Sequence, residues 1–139
     1  MEILSKTFDQ IQVGDIAFIE RQITKEDIQK FADVSEDFNP VHVDEKFANE
    51  SMFHGIIAHG IFSGALVSAV LGTKLPGIGT IYLNQSLSFR KPIRPGDTIR
   101  TEVVVVSKNP EKKRLILDCK CTNQKQEIVT LGQAEVIAP

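Results

Sequence analysis

Apolar positions lay out the elements of this chain. Ile28, Phe31 and Ala32 recur at helical spacing, and Thr24 stands three residues before Asp27 as in a capping box. This predicts an amphipathic helix from Lys25 to about Val34. Upstream, Gly14-Asp15 marks a turn, and Ile16 to Glu20 reads as a strand entered from it. Asp44 can cap a second, short helix carrying Phe47 and Ala48. From Gly60 to Leu71 the chain is apolar on nearly every face, broken only by Ser63 and Ser68. A helix apolar all round is a buried one. Its small residues Gly64, Ala65 and Ala69 would let a sheet approach closely, and Leu75-Pro76-Gly77 ends it. Beyond Gly79 the pattern turns to strands: Thr80 to Phe89, Thr98 to Ser107, Arg114 to Thr122 and Glu127 to Ile137. A strand, helices, one buried helix and then an antiparallel meander make an α+β fold with a helix on one face of a sheet.

Composition narrows the class. A chain of 139 residues, 42% hydrophobic and with eight Phe, fits one domain over residues 1–139 with a sizeable core. A net charge of -2 gives no bulk basic footprint for nucleic acid. No stretch reaches the length of a transmembrane helix. The N-terminal MEILSKTFDQIQVGD lacks the basic-then-apolar pattern of a signal peptide. A cytoplasmic protein is expected. Cys119 and Cys121 share one face of a strand and read as half-buried thiols in a reducing compartment, without a disulfide or zinc.

The candidate chemistry lies in Ser35-Glu36-Asp37-Phe38-Asn39-Pro40-Val41-His42. Pro40 fixes its own φ and pushes Asn39 out of the α region, while Asp37 and Asn39 favour turns. A stiff, bent connector between two helices can hold a carboxylate and an imidazole at one point, as general acid–base chemistry requires. The plain alternative is an Asx-turn followed by a surface histidine. Asn39 either shapes that turn or hydrogen-bonds a ligand or water. Three histidines, His42, His54 and His59, raise the question of a metal, but no pair has a recognised ligand spacing, so no metal or cofactor is expected. His59 is read as a neighbour of the helix start, bonded to backbone through a ring nitrogen. Ser63 lacks the GxSxG context of a hydrolase nucleophile.

Further motifs follow in order: Ala58-His59-Gly60, then Tyr82-Leu83-Asn84-Gln85-Ser86-Leu87-Ser88-Phe89, then Pro92 and Gly96-Asp97. With Asp37, Asn39, Pro40, Val41 and His42 matching an Asp-x-Asn-Pro-(apolar)-His motif, the chain resembles the MaoC-like hot-dog-fold family, and within it the (R)-specific enoyl-CoA hydratases. The resemblance runs from about Thr24 to Val106. It departs at Glu36, where the family often has Gly. The resemblance implies an antiparallel sheet wrapped around a long buried helix, and syn hydration of trans-2-enoyl-CoA by Asp37 and His42. It favours an oxyanion role for the Gly60 N–H, where a helix start offers unpaired donors. Ser68 and Leu71, taken to face the core, are candidates for the acyl pocket, though packing accounts for them equally. Arg90 and Lys91, with Arg94, form a basic cluster that is either a solvated edge or a place for coenzyme A phosphates. An acyl-carrier protein is the alternative carrier of the substrate. A homodimer rests on the resemblance alone.

Two other functions compete. A hot-dog acyl-CoA thioesterase would use Asp37 but has no need of His42. A non-catalytic acyl-CoA-binding module needs neither.

Overall fold

The computed structural model describes residues 2–139. Five strands, β1 (Ile16–Gln22), β2 (Ile81–Phe89), β3 (Thr98–Asn109), β4 (Arg114–Thr122) and β5 (Ile128–Ile137), form one antiparallel sheet in the order β1-β3-β4-β5-β2. Helices α1 (Lys25–Ser35), α2 (Pro40–Val43) and α3 (Glu45–Glu50) follow β1, and α4 (Phe62–Thr73) precedes β2. The sheet wraps α4, which packs on β1, β2 and β3. This is the α+β hot-dog fold.

Strands β3 and β4 alternate buried and less buried residues, so one face of each turns to the helix. Val103, Val105, Leu115, Leu117, Cys119 and Cys121 meet Val67, Val70 and Leu71 of α4 in one core cluster. Full burial of one such aliphatic side chain contributes about 1.5–3 kcal/mol. Cys119 and Cys121 are buried rather than half-buried, at 3% and 1% exposure. Burial pushes the Cys119 thiol up to about 11 and raises Cys121 as well.

Helix α1 starts as the sequence predicts: Thr24 Oγ1 accepts from the Asp27 N–H, and an Asp27 carboxylate oxygen accepts from the Thr24 N–H. It ends at Glu36, whose φ of 62° is left-handed. That explains the departure noted above. The position asks for a left-handed residue, which Gly adopts freely and Glu adopts at a cost.

Two expectations about α4 are corrected. It begins at Phe62 rather than Gly60. It is also not buried all round. Its buried stripe is Phe62, Ser63, Leu66, Val67, Val70 and Leu71, whereas Ala65, Ser68 and Gly72 are exposed. The small residues carry little apolar area, so the larger ones take the core face and Ser68 falls outside it. Gly in a helix interior costs about 1 kcal/mol relative to Ala. Packing of the buried stripe offsets Gly64 and Gly72.

Candidate active site

The connector after α1 is pinned by a chain of short-range hydrogen bonds. Ser35 Oγ accepts from the Asp37 N–H at 3.2 Å. Asp37 Oδ1 accepts from the Asn39 N–H at 3.1 Å, closing an Asx-turn. Asn39 Oδ1 accepts from the Val41 N–H at 3.3 Å and so caps α2, with Pro40 at its first position. The bend foreseen as irregular therefore contains one helical turn. Asn39 is its cap, the turn-shaping one of its two predicted roles.

That turn carries His42 inward. His42 is half-buried, and its Nδ1 lies 2.7 Å from the Ile57 carbonyl oxygen. A carbonyl only accepts, so Nδ1 bears the proton and Nε2 presents a lone pair. Burial holds the His42 pKa below its ordinary 6.5, more than the Ile57 carbonyl and Asp37 raise it; His59 lowers it further.

His59 is the residue that the sequence undervalued. It is 2% exposed, and its Nε2–H donates to the Asp37 carbonyl at 2.9 Å. Its ring stacks on that of His42, with centroids 3.8 Å apart and planes at 26°. Phe31 lies 5.0 Å from His59 on one side and 5.0 Å from Phe62 on the other. A column of four rings thus runs from the core to His42. Donor atoms of Asp37, His42 and His59 fall within 4.8 Å of one another. One ring nitrogen of each histidine is already engaged, His42 Nδ1 by the Ile57 carbonyl and His59 Nε2 by the Asp37 carbonyl.

Gly60 follows His59 directly. The Phe62 N–H donates to the His59 carbonyl at 3.0 Å, and the Ser63 N–H to the Gly60 carbonyl at 3.1 Å. Among the described residues the Gly60 N–H makes no hydrogen bond. Beside Gly60 opens a cavity of about 310 Å³, lined in part by Ile57, His59, Ser63, Phe89 and Thr130. Ser63 Oγ and Thr130 Oγ1 share a buried hydrogen bond of 2.8 Å on its wall. The exposed Arg90 and Lys91 also line it. Lys91 pairs with Glu127, and Arg90 Nε donates to Ser88 Oγ at 2.9 Å.

His59 therefore joins the Asp37–His42 turn to Gly60, its neighbour in the chain. Ser68 and Leu71 do not line this cavity: Ser68 is exposed on α4 and Leu71 is buried in the core. Phe89, Thr130 and Ser63 do line it. Nothing local marked Thr130, which reaches the cavity by strand pairing.

A family model described as a MaoC like domain matches residues 13–125. The chain belongs to the MaoC-like family. Among MaoC-like relatives, an (R)-specific enoyl-CoA hydratase of Rhodospirillum rubrum is 42% identical over 99% of this chain and 95% of its own length. A 3-hydroxybutyryl-CoA dehydratase of Methylorubrum extorquens is 40% identical over 95% of this chain and 83% of its own. The unliganded R-hydratase PhaJ1 from Pseudomonas aeruginosa superposes with a TM-score of 0.91 at 42% identity, covering 96% of this chain and 85% of that one. No helix among the described residues of this MaoC-like chain is long and apolar enough to cross a membrane.

Proposed function

We propose that this MaoC-like protein is an (R)-specific enoyl-CoA hydratase, a hydro-lyase that adds water reversibly to trans-2-enoyl-CoA. The observation that carries this reading is that His59 gathers Asp37 and His42, with donor atoms within 4.8 Å of one another, and directly precedes Gly60, whose free N–H stands at the cavity that His59 and Gly60 both line. Relatives named as hydratases and dehydratases support it.

In this reading one water donates its two hydrogens to the Asp37 carboxylate and to His42 Nε2, which turns an oxygen lone pair toward C3 of the substrate. The C3–O bond forms as an O–H bond breaks. The C2–C3 π pair moves toward the thioester, and the Gly60 N–H binds the oxygen on which charge gathers. Removing one such donor costs on the order of 3 kcal/mol. Whichever member of the pair holds the water proton returns it to C2 from the same face. Syn addition follows, because both new bonds come from one side, and the product is an (R)-3-hydroxyacyl thioester.

Arg90 and Lys91, beside the same cavity, are proposed to meet the phosphates of coenzyme A or the phosphopantetheine of an acyl-carrier protein. A homodimer is proposed as the working form. The edge strand β2 exposes Ile81, Tyr82, Leu83 and Phe89, and the small-residue face of α4 lies open beside it. An exposed apolar edge strand pairs readily with a second copy.

The test is incubation with crotonyl-CoA while following both enoyl absorbance and free thiol. Absorbance loss without thiol, giving the (R) product on chiral analysis, is expected. Thiol release identifies a thioesterase instead, and binding with neither signal a non-catalytic module. Sizing in solution tests the dimer.

A further inference from the structure

His59 is not needed by the chemistry just proposed, yet it touches every part of it. It donates from Nε2 to the Asp37 carbonyl at 2.9 Å, stacks on His42 at 3.8 Å, and precedes Gly60 in the chain. It is 2% exposed, and its Nδ1 is buried without a hydrogen-bond partner. A buried polar nitrogen left unpaired is costly, about 1–3 kcal/mol. A phenylalanine at this position would avoid that cost and extend the column of Phe31 and Phe62. The imidazole therefore has a task that an apolar ring does not perform.

We infer that His59 is a positioning residue, which fixes the Asp37 backbone with one ring atom and the His42 ring with its face, so that both side chains address one water. This rests on the hydratase reading for its kinetic consequences only. The Asp37 carbonyl accepts, so Nε2 must be the protonated nitrogen of His59 and Nδ1 the lone pair. His42 has the opposite tautomer, with the proton on Nδ1 toward Ile57. Two stacked imidazoles thus carry their protons on opposite nitrogens. The titratable groups that face His42 are His59, from the segment before α4, and Asp37, from the turn after α1. Around the stack, α1 contributes Phe31 and α4 contributes Phe62, neither of them charged.

The experiment uses long-range 15N–1H spectra of the intact protein through a pH titration, with crotonyl-CoA kinetics alongside. Variants are His59→Phe, which keeps a stacked ring but loses the donor, and His59→Gln, which keeps a donor but loses the ring. In wild type, His59 is expected as the Nε2–H tautomer and His42 as Nδ1–H at neutral pH. In His59→Gln the His42 titration moves up toward 6.5, because the stacked ring no longer opposes its charge. Both variants lose about 10- to 100-fold in kcat, the scale of a 1 Å misplacement, with KM within about twofold. An Nδ1–H tautomer for His59 in wild type overturns the inference, even if neither variant folds. So does an unmoved His42 titration in His59→Gln. Wild-type kcat in both variants overturns it as well. Should the protein prove not to hydrate crotonyl-CoA, the tautomers and the His42 titration still decide the positioning role, and only the hydratase reading falls.

Discussion

The ring of Phe89 lies 3.2 Å from the point where a side chain on Gly60 would begin. A Cβ there demands a shift of a few tenths of an ångström, and Phe89, 55% exposed, has room to make it. A branched side chain needs more and would crowd the free N–H. Gly60→Val is expected to lower kcat by about 10²-fold or more, as loss of an oxyanion donor does, with a far smaller change in thermal stability. Melting curves and turnover of the purified variant check this. A folded Gly60→Val that binds enoyl-CoA and turns over normally would remove Gly60 from the mechanism.

Asp37→Asn and His42→Gln test whether the pair shares one water. Each single change is expected to cost on the order of 10³-fold in kcat, and the double change little beyond the worse single, because groups acting as a unit are grossly non-additive. Acyl-CoA binding should survive in all three. Losses that multiply would mean that the two residues act independently. Activity near wild type in His42→Gln, with Asp37→Asn dead, would favour the thioesterase.

The pH profile follows from the lone pair on His42 Nε2, which exists only in the neutral ring. Burial lowers the His42 pKa below 6.5, so kcat/KM should hold from neutral pH down past 6.5 and fall below that. The folding consequence has the same direction. In the window below 6.5 the unfolded chain protonates His42 while the folded one resists, so the unfolded state binds more protons and stability falls as pH falls. An acid limb centred above 6.5 would contradict the buried, neutral ring. Urea melts of wild type and His42→Gln across the window isolate this residue's share of the slope.

Glu36→Gly relieves a non-glycine residue at φ 62°. A left-handed L-residue costs roughly 1–2 kcal/mol, offset in part by the greater freedom of glycine in the unfolded chain. A net gain of about 0.5–1 kcal/mol is expected. Denaturant melts would show it as a higher midpoint at unchanged slope. Unchanged or lower stability would mean that Glu36 makes a compensating contact.

Much of this was legible because local chemistry and global position agree. Thr24 and Asp27 cap α1 as their spacing predicts, and the alternation of Leu115, Leu117, Cys119 and Cys121 gives the inward face of β4. Asp37, Asn39 and His42 stand out because a proline and two turn-formers bracket them. The errors have a common physical origin. The pattern places Ser68 in the core because its alanine and glycine neighbours count as apolar, although they bury too little area to claim an inner face. Gly60 looked like a helical residue, yet it lies in the turn just before α4. His59 bonds backbone through a ring nitrogen just before α4, as its place in the sequence predicts, but its stack on a ring 17 positions earlier in the chain had no local signal. Thr130 and Phe89 come to the cavity only through the pairing of β2 with β5.

That pairing also sets when the protein can be finished. Strand β2 hydrogen-bonds β5, not the strand that follows it in the chain, so during synthesis it waits while β3, β4 and β5 are made. At about 5–20 residues per second, this leaves Ile81, Tyr82 and Leu83 without their sheet for some seconds. Phe89 reaches its place beside Gly60 in that same late step. The nascent chain therefore passes through a stage at which α4 is already made while one wall of its cavity is still missing. A chaperone, or the matching edge of another unfinished copy, would find it most receptive then.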